Sequence, residues 1–216
     1  MSKSIIILSV IFALSFSTID TSNVISENWN RIVLAGIASF DMPPTMEIKR
    51  GGYGVKSNDG RTVTYNEAKI IAQQKGLNNK EEQSLKKYAR IMVETEYGSP
   101  GKFMSLNFDV AGYSQAEINE ISEMLKQQMI AAQAKVNVKI LTWYPLKMET
   151  INGMSTIHMS YKRQLTNRPP VIVHIYSFHN YDRMHKLTLS YRQEESAMWA
   201  SDFDKILKSF RILSKK

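Results

Sequence analysis

All four histidines of the chain, His158, His174, His179 and His185, fall within 28 residues of one another. Clustered imidazoles are the raw material of metal sites and proton transfer. Their spacing does not suit a structural zinc site, which favours His-x3–5-His or Cys-x2–4-Cys pairs, and the chain has no cysteine. His174 and His179 are close in sequence, but one falls mid-strand and the other at a turn. By strand parity His158 shares a face with Ser160 and Lys162. His185 shares one with Leu187 and Leu189, as a core histidine with a buried partner does. Serine, histidine and aspartate are all present, but no Gly-x-Ser-x-Gly elbow supports nucleophilic catalysis. Gly52-x-Gly54 is not completed as a dinucleotide loop, because Ser57 holds the third glycine position. Glu94 and Glu96 alternate on one strand face and read as a solvated edge rather than a glycosidase pair. No catalytic residue, cofactor or metal ligand is assigned.

Aromatic residues are denser in the later part of the chain. Trp143-Tyr144-Pro145, Tyr161, Tyr176, Tyr181 and Tyr191 occur near Arg163, Arg168 and Arg183, and aromatic–arginine surfaces are favoured at binding sites. The plainer reading is an aromatic core with arginines at strand ends. Trp143, Tyr144, Tyr176 and Arg183 are the candidate ligand surface.

These residues must be positioned by sheets and two helices. Ala38, Phe40 and Met42 alternate with Ser39 and Asp41, which predicts a strand ended by Pro43-Pro44. A short strand over Thr45 to Lys49 follows, and Gly51–Gly54 and Ser57–Gly60 mark turns. Lys69 to Gln74 reads as a strand, Lys80 to Lys87 as a short helical turn, and Tyr88 to Tyr97 as a strand with Ala89, Ile91 and Val93 on its dry face. Ser114-Gln-Ala-Glu117 is a capping box, and Ile118, Ile121, Leu125 and Met129 recur behind it at helical spacing, predicting a helix to about Ala134. Strands follow over Val136–Trp143 and Leu146–Ile151. Asn152-Gly153 favours the positive φ angles of a hairpin turn. The return strand carries Ile157, Met159 and Tyr161. Val171 to Phe178 is apolar on both faces, as in a strand covered above and below, and Met184 to Arg192 pairs behind it. From about Ser196, Trp199, Phe203, Ile206, Leu207 and Phe210 form the stripe of a final helix. Hairpin connections and two helices predict an α+β layered sandwich, a central antiparallel sheet flanked by helices on both faces.

Phe40-Asp41-Met42-Pro43 resembles the opening strand of PsbP-like domains. Leu187-Thr-Leu-Ser-Tyr-Arg192, with Trp199, Phe203, Ile206-Leu207 and Ser209-Phe210, resembles their closing strand and helix. The resemblance covers the two ends of the domain. It implies a central antiparallel sheet with helices, in a group of binding and accessory modules that includes small exported bacterial proteins. It carries over no site residue.

The N-terminal stretch sets the expected compartment. Met1-Ser2-Lys3-Ser4 precedes an apolar run, Ile5 to Phe16, with small residues at Ser15 and Ser17. This is the pattern of a secretory signal peptide, cleaved between Ser17 and Thr18, and the run is shorter than the ~20 residues of a membrane span. Residues 1–17 are read as signal peptide, 18–31 as a polar lead-in, 32–213 as one α+β domain and 214–216 as a basic tail. The chain has 216 residues, 43% hydrophobic and 22% charged, typical of one globular core. A cysteine-free exported domain is held by packing alone. No Asn-x-Ser/Thr glycosylation site occurs, so a bacterial periplasm or extracellular address is the simplest expectation. The net charge of +8 would suit nucleic acid, but export makes that a poor partner. The function expected is a non-enzymatic binding or accessory module for an envelope protein or small ligand. Two alternatives stay open: a hydrolase or metal enzyme using the His158–His185 region, and electrostatic attachment to an anionic membrane or envelope polymer.

Overall fold

The computed structural model describes residues 28–77 and 87–213. The expected signal peptide over residues 1–17, most of the expected lead-in, the helical turn expected at Lys80 and the expected basic tail lie outside or almost wholly outside those residues. The first strands, β1 (Asn30–Leu34) and β2 (Ala38–Met42), form a hairpin, with Gly36 at φ 65° in its turn. After Pro43-Pro44 come β3 (Met46–Arg50), β4 (Val55–Lys56), β5 (Thr62–Tyr65), β6 (Lys69–Gln74) and β7 (Ala89–Tyr97). Helix α1 (Gln115–Ala134) leads to β8 (Val138–Trp143), β9 (Lys147–Ile151), β10 (Met154–Leu165), β11 (Val171–Asn180) and β12 (Arg183–Arg192). A 3-10 turn, helix α2 (Ser196–Ser209) and the short β13 (Arg211–Ile212) close the domain.

The strands build two sheets. The larger runs β3-β6-β7-β12-β11-β10-β8, with β9 also paired to β10, and every pairing in it is antiparallel. The smaller runs β13-β2-β1-β5-β4 and includes one parallel pair, β1 with β5. β4, β5 and β13 are too short to show an alternating pattern, so the sequence did not reveal them. β7 is not an edge: it lies between β6 and β12, and Glu94 pairs there with Lys69 at 2.9 Å.

The main core lies between the two sheets and α2. Phe40 of β2, Phe178 of β11 and Phe210 after α2 are fully buried, and the last two rings stack at 5.0 Å. Ile91 and Val93 of β7 and Leu187 and Leu189 of β12 point into the same core. Trp199, Phe203 and Ile206 are the buried stripe of α2. Helices do not flank both faces of the sheet. The inner face is covered mainly by the smaller sheet, because the hairpin β1–β2 brings enough apolar surface to act as the second layer. The outer face carries α1, none of whose residues is buried. Its Ile118, Ile121, Leu125 and Met129 rest half-buried on Met159, Tyr161 and Val173. Coverage of β10 and β11 by α1 leaves the outer face open toward β12 and β7.

Candidate functional site

Strand alternation decides which side chains line the opening. On β10, Ile157, Met159, Tyr161 and Arg163 face outward, and the register carries that face to Val173, Ile175, Ser177 and His179 of β11. Thr188 of β12 stands opposite Ile175, and Met92 of β7 opposite Thr188, so the same face continues through Met184, Lys186 and Ser190. The roof comes from α1, with Ile121, Met124, Leu125 and Met129 facing down. Phe103, Met104 and Tyr113 close one end. The result is a groove of about 790 Å³, within the range of small-molecule sites. Its lining is rich in methionine, at positions 92, 104, 124, 129, 148, 159 and 184. Unbranched thioether side chains fill irregular gaps in cores and also recur on surfaces that take guests of different shape.

Polar contacts fix the walls. The Trp143 indole N–H donates to Ser122 Oγ at 2.9 Å, and its ring stacks on Tyr161 at 5.8 Å. Arg163 donates to Gln133 at 3.2 Å, tying the C-terminal part of α1 to β10. At the closed end the Met104 amide donates to His179 Nδ1 at 3.3 Å, and burial holds that imidazole below its ordinary pKa. Lys186 and Lys102 both bond Glu96, which keeps that carboxyl below the usual range.

Arg163 also borders two further hollows. A small cavity of about 130 Å³ shares Met92, Arg163, Thr188 and Ser190 with the groove, and Tyr88, Arg90 and Arg163 with a cavity of about 360 Å³. That cavity is ringed by Arg90, Arg163, Arg168 and Arg192, with Tyr88 and Leu165. The Arg90 guanidinium lies 5.3 Å from the Tyr88 ring centre, and its Nε is buried with no partner among the described residues.

The opposite face of the sheet carries a separate polar file beside α2. His158 Nδ1 lies 2.9 Å from Glu149 Oε1, His158 Nε2 lies 3.1 Å from His174 Nδ1, and His174 Nε2 lies 3.4 Å from the Tyr191 hydroxyl. A carboxylate oxygen only accepts, so the His158 Nδ1–H donates to Glu149 and the His174 Nδ1–H donates to His158. His174 Nε2 then accepts from Tyr191. Burial pushes both imidazoles down to about 4, helped by Lys147 at His158 and by His158 itself at His174. Tyr176 stacks on His158 at 4.2 Å, and burial raises its phenol. Two histidines and a carboxylate therefore meet, but as a line and not around a cleft. Among the described residues no group of three His, Asp or Glu is placed to hold a metal.

The candidate ligand-surface residues are dispersed. Trp143 is on the groove side, Tyr176 faces the inner side, and Arg183 sits at the β11–β12 turn, paired with Asp182 at 2.9 Å and 5.5 Å from the Tyr97 ring. Tyr144 is half-buried just past β8, its amide donating to Ser160. The groove is not legible in the sequence because its floor residues come from four strands whose register is not written locally. The one available signal was methionine on outward parity positions, as at Met92, Met159 and Met184.

No protein-family model and no curated protein sequence matches the chain. Among solved structures it is similar to the cyanobacterial PsbP protein CyanoP from Synechocystis sp. PCC 6803, with a TM-score of 0.51 at 10% identity over 86% of this chain and 92% of that one. It is also similar to a protein from Bacteroides thetaiotaomicron, with a TM-score of 0.45 at 8% identity over 86% of this chain and 48% of that one. The yeast Ran-binding protein Mog1p follows, with a TM-score of 0.40 at 11% identity over 86% of this chain and 96% of that one. The fold is PsbP-like.

Proposed function

We propose that the chain is an exported, non-enzymatic binding module whose methionine-lined groove takes an apolar ligand. One observation carries the reading: a groove of about 790 Å³ with a methionine-rich floor and a roof, α1, that buries none of its own residues. A helix seated so lightly can lift or settle over guests of different thickness, and a large apolar groove at a protein surface usually marks an interaction or ligand site. Export rests on the signal-peptide pattern of residues 1–17. Among the described residues no helix is long and apolar enough to cross a membrane.

The test is displacement of a neutral fluorescent naphthylamine probe by a series of n-alkanols. Each sequestered methylene is worth about 0.8 kcal/mol, so affinity should rise roughly fourfold per carbon until the groove is full. Thr188→Trp, which fills the floor between β11 and β7, should abolish probe binding while leaving the circular dichroism unchanged. Affinity that is flat with chain length, or unaffected by that variant, overturns the reading.

A further inference from the structure

We propose that the arginine-ringed cavity binds the acidic head of a single-chain amphiphile whose tail lies along the groove. This deepens the apolar-ligand reading and rests on it. The first ground is continuity. Arg163 lines the groove, the small cavity and the arginine cavity, while Met92, Thr188 and Ser190 line both the groove and the small cavity. A guest entering between α1 and β12 therefore meets apolar side chains first and guanidinium groups last.

The second ground is charge. Arg90, Arg163 and Arg168 have no carboxylate partner among the described residues within ion-pair distance. Arg192, the fourth guanidinium of the ring, is paired with Glu195 at 3.9 Å, so the uncompensated charge is that of the other three. Guanidinium groups gathered in a partly buried hollow repel one another more strongly than they would in water. An oxyacid guest removes that repulsion and offers the planar, paired oxygens that guanidinium groups grip best.

The third ground is the buried Nε of Arg90, a donor whose partner is missing. Buried donors are nearly always satisfied, and this one belongs to a residue that lines the arginine cavity, where an anion would supply the missing acceptor. Arg163 spends one N–H on Gln133 and keeps others for a head group. Since Gln133 is on α1, a head bound at Arg163 also bears on the helix that roofs the tail.

The experiment measures dodecanoate, dodecyl phosphate, dodecanol, dodecyltrimethylammonium and inorganic phosphate by calorimetry against the full chain, at two salt concentrations. The expected result is that both acidic amphiphiles bind at least tenfold tighter than dodecanol, that this advantage shrinks with salt, and that the cation binds weakest. Arg168→Gln, at an exposed position, and Arg90→Gln should each cut the dodecanoate-to-dodecanol affinity ratio about threefold or more. Equal binding of dodecanoate and dodecanol overturns the head-group site while leaving the groove reading intact. Phosphate binding as tightly as dodecyl phosphate overturns the shared occupancy of head and tail. Retention on anionic vesicles that dodecanoate does not compete away would assign the arginines to a bilayer surface and also overturn it. Failure of every amphiphile and of the neutral probe removes the groove reading, and this proposal with it.

Discussion

Arg31 and Asp41 face each other across the β1–β2 hairpin in a two-pronged ion pair, Nε to Oδ1 at 2.8 Å and Nη2 to Oδ2 at 3.1 Å. The Asp41 side chain is 7% exposed, so losing the guanidinium leaves a carboxylate in a site that water barely reaches. Arg31→Ala should cost about 2–3 kcal/mol in denaturant unfolding, whereas an exposed pair such as Lys208–Asp204 should cost less than about 1. The buried imidazoles give a second prediction. His158, His174 and His185 are held at about 4 in the fold against 6.5 for a free histidine, chiefly by burial. Between those values the unfolded chain binds more protons than the folded one. Stability is therefore fully present above pH 6.5 and falls as pH drops toward 4, by at most about 1.4 kcal/mol per pH unit for His185 in mid-window, while the hydrogen-bonded His158–His174 pair titrates as a unit and adds to the loss in the same direction. Chemical denaturation at pH 7, 6 and 5 checks this, and a midpoint that does not move over that range would contradict it. His185 was legible from parity: it is fully buried and its Nδ1 meets the Thr95 hydroxyl at 2.9 Å. The His158–His174 contact was not, because it is diagonal, from residues opposite Tyr176 and Ser160, and a diagonal exists only once the register does.

At the scale of elements, α1 is the clearest case of local instruction. The Ser114 side chain accepts from the Glu117 amide and the Ser114 amide donates to Glu117 Oε2 at 2.8 Å, so the capping box written in the sequence is the one that forms. Because α1 buries none of its residues, its own end effects weigh heavily in whether it stays seated. Ser114→Ala should cost the helix about 1 kcal/mol. The loss should appear as faster amide exchange along α1 while the melting of the sheets hardly shifts. The Asn152-Gly153 turn was equally legible, with φ of 53° and 74° at the two residues. The sequence of β11 predicts a strand covered on both faces, and it does lie between β10 and β12. Its outward residues Val173, Ile175 and Ser177 nonetheless line the groove. Apolar side chains mark a surface that avoids water, and their identity alone does not say whether protein or guest covers it.

The molecule as a whole has two cores of unequal strength. The inner core closes around Phe40, Phe178 and Phe210, whereas the outer cluster is four buried residues under a helix. Phe178→Ala should cost about 3–5 kcal/mol and Ile121→Ala only about 1, both read from urea midpoints. The sequence announced the sheet, both helices and most strand faces. It did not announce that β1 and β2 would leave the large sheet to form a second layer, since that choice depends on the fit between distant surfaces. The distribution of sulfur follows the same division. Met42, Met46 and Met154 are sealed inside, while those of the groove, apart from the buried Met159, are partly or fully exposed. Oxidation adds an oxygen to a thioether and turns an apolar contact into a polar, chiral one. Mild peroxide should therefore abolish uptake of the naphthylamine probe while the melting temperature holds. In an oxidising compartment the binding face would age ahead of the scaffold, and the protein would lose its guest before it lost its shape.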